Sequence, residues 1–342
     1  MTIKTRVLLT GASGTVGFEI LKQLHTLRDK FDITIFDLEN SKTRKKFAKF
    51  KNDIKIQYGD ISKSENIAKV CYNKDFVIHI AALIPPVADD EPELAHRINT
   101  IGTANLVKNL EEKSPNAFFV YSSSISVYGD RLIDPEIYIT DPLLPSVGDE
   151  YAVTKIAAEE IIKSSKLQWS IFRLTAIMGG HKISKLMFHM PLNTCMEICS
   201  PADTARAFVN AFEHKEKISG KLFNLGGGKD CRCTYLEFLT KSFEIFGLGE
   251  VNFPDKTFAE HNFHCGNYAD GDDLENILKF RKDNLKSYFK HEKSKVTDIQ
   301  RAITKCIKSI IKNRLIKQSE PLEAIYKGDV KMLDRFFINK LK

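Results

Sequence analysis

The stretch Gly11-Ala12-Ser13-Gly14-Thr15-Val16-Gly17 follows the apolar run Val7 to Leu9 and opens an amphipathic segment. In a phosphate-binding loop of this spacing, Gly11 permits the tight turn, Gly14 lets the backbone approach a pyrophosphate, and Gly17 allows close packing of helix on sheet. The helix that follows presents unpaired N–H groups and a partial positive charge to phosphates. The stretch therefore predicts a strand, a phosphate-binding loop and a helix.

A carboxylate ends the next predicted strand. Asp37 stands twenty residues after Gly17, where it would accept hydrogen bonds from an adenosine ribose. A carboxylate there repels a 2′-phosphate, which favours NAD over NADP as the cofactor. Four basic residues close by keep NADP open, and they are Lys42, Arg44, Lys45 and Lys46.

Short β-branched runs alternate with longer amphipathic segments through the first half of the chain. This alternation predicts an α/β fold, a Rossmann-type doubly wound parallel sheet. The predicted strands are Arg6 to Thr10, Ile33 to Asp37, Ile54 to Tyr58, Phe76 to Ile80, Phe118 to Ser122 and Trp169 to Arg173. The predicted helices are Val16 to Leu27, Leu94 to Lys113 and Tyr151 to Ser164.

The alternation of strand and helix patterns becomes less regular after Arg173, and the sequence therefore predicts three regions. Residues 1–175 form an NAD-binding Rossmann domain, and residues 176–290 form a small substrate-binding cap, with some elements returning to the sheet. Residues 291–342 form a basic helical tail in which Val296 to Ile316 is an amphipathic helix.

Charge and cysteine content narrow the class of protein. From Arg281 onward the chain has 17 Lys and Arg against 7 Asp and Glu, so the basic character belongs to the tail. The seven cysteines lack paired metal-site spacing, which predicts reduced thiols and no metal site. No secretory leader and no apolar run of about 20 residues is recognised, which predicts a cytoplasmic protein.

Six motifs occur in a recurring order: TGASGTVG at 10–17, GDI at 59–61, HIAA at 79–82, NTIGTANLV at 99–107, SSSISVYG at 122–129 and YAVTK at 151–155. With these motifs the chain resembles the NAD-dependent epimerase/dehydratase family of extended short-chain dehydrogenases/reductases from about Thr5 to Asn224. The resemblance implies that the glycine loop, with Ser13, Thr15 and Val16, binds NAD. It also implies that Asp60 and Ile61 flank the adenine, that Ala81 and Ala82 line the nicotinamide ribose and pyrophosphate, and that Asn99 supports the active-site backbone.

The motifs SSSISVYG and YAVTK predict the residues that exchange a proton with the substrate. Tyr151 and Lys155 are four residues apart on a predicted helix and share a face, from which both would also contact the cofactor. The Lys ammonium and a positive nicotinamide both favour the phenolate, so Tyr151 could exchange a proton with a substrate oxygen during hydride transfer. Ser124 would hydrogen-bond the same oxygen. Ser122, Ser123 and Ser126 compete for that role, and alignment with the family pattern favours Ser124.

Several positions depart from the family pattern. Sugar 4,6-dehydratases carry an acidic pair where this chain has Ile125 and Ser126, so dehydration of that type is disfavoured. Ala176 replaces the Asn that nucleotide-sugar epimerases usually have after the sixth strand, and the short connection to Pro201 predicts a small pocket. The predicted substrate-site residues are Ser126, Tyr128, His181, Met187 and His189.

The leading hypothesis is an NAD-dependent oxidoreductase that acts on a secondary alcohol or carbonyl of a small polar or sugar-like substrate. A nucleotide-sugar 4-epimerase is the alternative, followed by a non-catalytic NAD-binding protein or a membrane-peripheral protein. Relatives commonly form homodimers through helices such as Leu94 to Lys113 and Tyr151 to Ser164. The tail helix could pack on this protein or a second copy, or lie on an anionic membrane. Nucleic acid is disfavoured because no binding module is recognised.

Overall fold

A computed structural model of the chain describes residues 3–179 and 184–338. The strands of this part are β1 (Thr5–Thr10), β2 (Phe31–Asp37), β3 (Lys55–Tyr58), β4 (Phe76–His79), β5 (Phe118–Ser124), β6 (Glu136–Ile137), β7 (Gln168–Leu174), β8 (Ala176–Ile177), β9 (Cys195–Cys199), β10 (Lys221–Leu225), β11 (Arg232–Thr234) and β12 (Asn267–Tyr268).

The α-helices of the same part are α1 (Thr15–Thr26), α2 (Ser41–Phe47), α3 (Ser64–Ile67), α4 (Val87–Asp90), α5 (Pro92–Ala95), α6 (Gly102–Lys113), α7 (Glu150–Lys163), α8 (Pro201–Asn210), α9 (Lys215–Ile218), α10 (Tyr235–Phe246), α11 (Asp272–Leu278), α12 (Leu285–Ser294), α13 (Asp298–Ile316), α14 (Glu320–Lys327) and α15 (Val330–Phe336). None of these helices combines the length and hydropathy that crossing a bilayer requires.

The predicted doubly wound parallel sheet is confirmed. Seven strands pair in the order β10-β7-β5-β4-β1-β2-β3, and every pair in this sheet is parallel. The chain winds outward from β1 to β3 and then returns to β4 on the other side of β1. This reversal opens a crevice at the carboxyl ends of β1 and β4, where sheets of this type bind ligands.

Apolar side chains explain why the sheet is covered on both faces. The side chains of β4 are buried throughout, as expected for a central parallel strand. One face packs against α1, α8 and α11, and the other packs against α3, α6 and α7. A third apolar cluster joins β9, α10, α12 and α13 into a cap next to the sheet. The strand β10 and the helices α8 and α11 therefore bring late segments of the chain back to the main sheet.

Two helical predictions differ from the structure in detail. The predicted helix Leu94 to Lys113 is interrupted by a π-helical turn, His96–Ile101, between α5 and α6. The predicted tail helix is present as α13, which begins at Asp298 because Thr297 and Gln300 form a capping box. The preceding helix α12 was not predicted, although Asn284 and Ser287 cap it in the same manner.

Close contacts fix the glycine loop between β1 and α1. Gly11 has a φ of +74°, and a Cβ there would lie 2.7 Å from Cα of Ala81 at the end of β4. A Cβ at Gly17 would overlap the carbonyl oxygen of Gly11. At Gly14, by contrast, a Cβ would meet only the carbonyl oxygen of Gly11, at an ordinary 3.5 Å. The fold therefore requires glycine at the first and third positions but not at the second.

We expect Gly17→Ala to lower the free energy of unfolding by about 1–3 kcal/mol, because the added methyl group forces the loop away from α1. Gly14→Ala is the matched control and should change it by less than about 0.5 kcal/mol. Urea unfolding followed by circular dichroism measures both. Equal losses in the two variants would contradict this account of the loop.

Candidate active site

Helix α7 brings Tyr151 and Lys155 to the carboxyl end of β5. Asp149 caps the helix, because its Oδ1 accepts a hydrogen bond of 2.8 Å from the backbone N–H of Ala152. The Lys155 ammonium is buried and donates a 2.7 Å hydrogen bond to the carbonyl oxygen of Ser122. Its Nζ lies 5.5 Å from the centre of the Tyr151 ring. Both side chains therefore point to the same strand end.

The hydroxyl of Ser124 lies next to the Tyr151 phenol. It hydrogen-bonds the half-buried Tyr151 phenol and also accepts a 3.2 Å bond from the N–H of Ser126. The Oγ atoms of Ser123 and Ser126 are buried and have no hydrogen-bond partner in the part of the chain that the structure describes. The geometry thus brings together Ser124, Tyr151 and Lys155, the three residues selected from the sequence.

Burial dominates the titration of this group. It raises the pKa of the Tyr151 phenol, with a further contribution from the Asp149 carboxylate, while the hydrogen bond from Ser124 acts in the opposite direction. Burial also lowers the pKa of Lys155 to about 7, although Glu159 partly opposes this. The lowered phenol pKa expected from the sequence is therefore not produced by the protein alone, because loss of hydration outweighs the hydrogen bond from Ser124.

Asn99 ties α7 to the loop that follows β4. It lies in the π-helical turn, and its amide donates to the carbonyl of Leu83 at 2.9 Å and to Oγ1 of Thr154 at 3.0 Å. Its Oδ1 accepts a 2.7 Å bond from the N–H of Leu83. This buried side chain therefore supports the backbone beside Tyr151.

A buried polar network continues from α7 into β7. Arg173 makes a two-pronged ion pair with Glu159, in which its Nε and Nη2 lie 3.0 and 2.7 Å from the two carboxylate oxygens. Its Nη1 donates to the hydroxyl of Tyr128, which in turn donates to Oδ1 of Asn224, both at 2.8 Å. The Asn224 amide donates to Asp270 at 2.8 Å.

This network includes Tyr128, which the sequence predicts to pack or to shape the substrate pocket. The structure buries its ring and places its hydroxyl between Arg173 and Asn224. Burial also raises the pKa of Tyr128 to about 12. A contact of Tyr128 with substrate stays a prediction.

The predicted cofactor loop contacts the end of β2. Asp37 accepts hydrogen bonds from the N–H of Ser13 at 2.7 Å and from its hydroxyl at 3.0 Å. Lys46 donates to the Ser13 carbonyl at 2.6 Å and lies over the ring of Phe18. Burial raises the pKa of Asp37, while the bonds from Ser13 lower it. Thr15 and Val16 begin α1, where Thr15 is exposed and the first turn lacks acidic residues.

The other residues predicted to bind the cofactor follow β3 and β4. Asp60 accepts bonds from the N–H and hydroxyl of Ser62, at 2.9 and 2.8 Å, in the turn after β3. Ile61 is buried against Gly102 at the start of α6. Ala81 and Ala82 follow β4 and are half-buried beside the glycine loop.

A small cavity of about 70 Å³ lies beside the amino end of α7. Its lining includes Asp89, Asp149, His189, His264, Arg335 and Phe336. Oδ2 of Asp149 lies 2.6 Å from Nδ1 of His264, and Oδ1 of Asp89 accepts a 3.3 Å bond from the N–H of Tyr151. Burial disfavours a charge on His264, but the Asp149 and Asp89 carboxylates outweigh it and raise the pKa of the ring. The cavity thus adjoins the candidate chemical group.

The remaining predicted substrate-site residues, His189, Met187 and His181, have different positions. His189 contributes to the cavity wall, where Nε2 lies 2.8 Å from Oε2 of Glu320 and the ring packs on Phe336. Met187 is buried in the cap, and its carbonyl accepts a 2.9 Å bond from the hydroxyl of Tyr235. His181 lies outside the described residues.

Sequence reasoning missed three contributors to the site. Glu159 follows Lys155 by four residues, just as Lys155 follows Tyr151, so the spacing alone could have placed it on the same helix face. His264 and Arg335 come from segments without a motif, and the sequence offers no signal for them.

The sheet and the glycine loop form the Rossmann-type fold found in short-chain dehydrogenases/reductases, and Ser124, Tyr151 and Lys155 lie together at the end of β5. Residues 8–170 match the model of the 3-beta hydroxysteroid dehydrogenase/isomerase family. Over these residues, which are a little under half of the chain, the protein is similar to NAD-dependent enzymes of the extended short-chain dehydrogenase/reductase type.

Curated relatives are similar over part of their length. A GDP-6-deoxy-D-mannose reductase of Pseudomonas aeruginosa is 37% identical over 98 residues, which are 28% of this chain and 31% of that protein. A decarboxylating sterol-4-alpha-carboxylate 3-dehydrogenase of Saccharomyces cerevisiae is 27% identical over 175 residues, which are 50% of this chain and 49% of the relative. The chain therefore spans about half, or less, of the length of these relatives.

Solved structures share the fold over most of the chain. A dTDP-glucose 4,6-dehydratase of Streptomyces venezuelae, crystallised with NAD bound, aligns with a TM-score of 0.70 and 19% identity over 85% of this chain and 96% of its own. MoeE5, in complex with UDP-glucose and NAD, aligns with a TM-score of 0.65 and 21% identity over 84% of this chain and 97% of its own. At these identities the likeness concerns the fold.

The ion pairs of Glu320 yield a prediction about pH. Hydrogen bonding by His189, assisted by Lys185, lowers the pKa of Glu320 to about 2. A carboxylate with a lowered pKa stabilises the fold above its unfolded pKa of about 4.3, and this contribution disappears as the pH falls toward 2. We expect Glu320→Gln to lower the free energy of unfolding by about 1–2 kcal/mol at pH 6.5 and by roughly half as much at pH 3, which lies between the two pKa values.

Denaturant titrations at the two pH values measure this difference. Glu323→Gln is the matched control, because Glu323 lies on the same helix in an exposed pair with Lys327. The assignment is wrong if both variants lose the same free energy at pH 6.5, or if the loss in Glu320→Gln is as large at pH 3 as at pH 6.5.

Proposed function

We propose that the chain is an NAD-dependent oxidoreductase or epimerase that acts at a secondary alcohol or carbonyl of a small polar or sugar-like substrate. The observation that carries this proposal is the convergence of Tyr151, Ser124 and Lys155 at the end of β5, beside the crevice of the sheet. The match of residues 8–170 to the 3-beta hydroxysteroid dehydrogenase/isomerase family model and the NAD-bound structures that share the fold support the same conclusion.

The residues at the crevice fit a dinucleotide. The amino end of α1 has no acidic residue in its first turn, and the exposed Gly14 leaves room for a close backbone approach. The Asp37 carboxylate lies at the loop, where it would accept hydrogen bonds from the ribose hydroxyls, and a 2′-phosphate would be repelled there. These residues would hold NAD, which supplies a reversible hydride acceptor when bound.

The side chains of the chain would handle the proton. Tyr151 donates it to a substrate carbonyl oxygen, or removes it from a hydroxyl in the opposite direction, while Ser124 hydrogen-bonds that oxygen. Lys155, anchored on the carbonyl of Ser122, favours the phenolate by its positive charge. Because burial raises the pKa of Tyr151, the phenol in the free protein keeps its proton at neutral pH.

The type of reaction follows from the residues that stand directly after β5. Ile125 and Ser126 are buried at the positions where 4,6-dehydratases of the family have an acidic pair. Without a second carboxyl acid at this point, the site is suited to hydride and proton exchange at one carbon, and it lacks the groups to expel water from the neighbouring positions. Oxidation, reduction or epimerisation is therefore proposed in preference to dehydration.

We expect Tyr151→Phe to lower turnover at least about 100-fold while NAD binding is retained, because the change removes only the transferable proton. A panel of UDP-, dTDP- and GDP-sugars and 3β-hydroxysterols provides substrates. Absorbance of NADH reports net oxidation, and NMR of the sugar reports epimerisation without NADH. Tyr138→Phe, at an exposed tyrosine, is the control. Unchanged turnover in Tyr151→Phe would refute the proposed mechanism.

The glycine loop allows a separate test of cofactor binding. Gly14→Ala should weaken NAD binding at least about tenfold in calorimetry, because the methyl group occupies the approach path of the pyrophosphate. Its folding should remain normal, since the free protein has space for the added carbon. Unaltered NAD affinity in a folded Gly14→Ala protein would show that the phosphates do not lie on this loop.

A further inference from the structure

Helix α13 has a second apolar face that the rest of the described chain does not cover. Ile311 and Leu315 pack into the cap. Four other isoleucines project outward, with 74, 55, 41 and 60% of their surface exposed, and these are Ile299, Ile303, Ile307 and Ile310. An exposed row of large apolar residues on one helix is a typical feature of an interaction surface.

The spacing of this face identifies the kind of partner that fits it. The positions at its centre are Ile299, Ile303, Cys306, Ile310 and Asn313, separated alternately by four and three residues. This alternation is the seam of a two-helix coiled coil, in which the seam of one helix meets an equivalent seam on another. Ala302 and Ser309, which flank the seam on one side, are uncharged and exposed.

The charges of the helix argue against a lipid surface as the partner. At 100° per residue, Arg301, Lys305, Lys308 and Lys312 lie on the side opposite the seam. Two of them are held by the protein itself, because Arg301 donates to the carbonyl of Ile245 at 3.1 Å and Lys312 donates to the carbonyl of Glu250 at 2.6 Å. An anionic membrane below the isoleucines would face few of these cations.

The same charges favour a second copy of the helix in antiparallel orientation. Asp298 stands at the start of α13, and Arg314 stands near its end. Antiparallel pairing brings the acidic start of one helix beside the basic end of the other, and it also opposes the two helix dipoles. Parallel pairing would bring the two arginines together. Cys306, midway between Asp298 and Arg314, would meet its counterpart at the twofold axis.

We propose that two copies of this chain associate through antiparallel pairing of α13, with Ile303 of one copy against Ile310 of the other and the two Cys306 side chains at the twofold axis. This surface differs from α6 and α7, the helices through which the family resemblance predicts pairing. The proposal is independent of the proposed chemistry.

Sedimentation velocity across a range of protein concentrations tests the association. The wild-type protein should form a dimer, and Ile303→Glu combined with Ile310→Glu should raise its dissociation constant at least about tenfold. Ile133→Glu is the control, because Ile133 is 95% exposed outside this face and should leave the dimer intact. Circular dichroism verifies that each variant is folded.

Cysteine crosslinking tests the geometry. Among the described residues Cys306 is the only exposed cysteine. Mild oxidation of the dimer should therefore join two copies through a Cys306–Cys306 disulfide, and Cys306→Ser should lack this covalent dimer. A monomeric wild-type protein, a dimer that survives the double isoleucine change, or a dimer without the Cys306 crosslink would each overturn the proposal. Binding of a monomeric wild-type protein, but not of the double variant, to phosphatidylserine vesicles would assign the face to lipid instead.

Discussion

The buried ion pair between Arg173 and Glu159 fixes helix α7 on the sheet. Tyr151, Lys155 and Glu159 occupy successive turns of one face, so this contact sets the depth and rotation of the other two. Burying both charges costs about as much as their attraction returns, whereas removing one partner typically costs about 3–5 kcal/mol. The pair therefore contributes precision of placement more than net stability. Asn99 and Asp149 hold the amino end of the same helix, so the phenol is positioned from both sides.

The fold and the chemical group were predictable because they depend on local patterns. Buried parallel strands are continuous apolar runs, glycines mark the loop after β1, and the interval between Tyr151 and Lys155 is one helical turn. The remainder depends on contacts between distant segments. Nothing near His264 in the chain indicates that it meets Asp149, and nothing near Tyr128 indicates that its hydroxyl meets Asn224 of another strand.

The environment of Tyr151 and Lys155 disfavours the charged form of both side chains. Burial raises the pKa of Tyr151 and lowers that of Lys155, so the free protein holds a neutral phenol beside an amine that titrates near neutrality. A phenolate would need additional positive charge from a bound ligand. The hydrogen bond from Ser124 acts in the same direction as such a charge, because it lowers the pKa of Tyr151.

The cavity beside α7 has a consequence for biosynthesis. Arg335 and Phe336, which form part of its wall, are among the last described residues, although the reactive side chains stand near the middle of the chain. Because α15 follows the reactive residues by more than 150 positions, the sheet and α7 can fold before it during translation, and this wall of the cavity forms only when α15 docks. Loss of α15 would leave Tyr151 and Lys155 in the chain but would remove Arg335 and Phe336 from the cavity next to them.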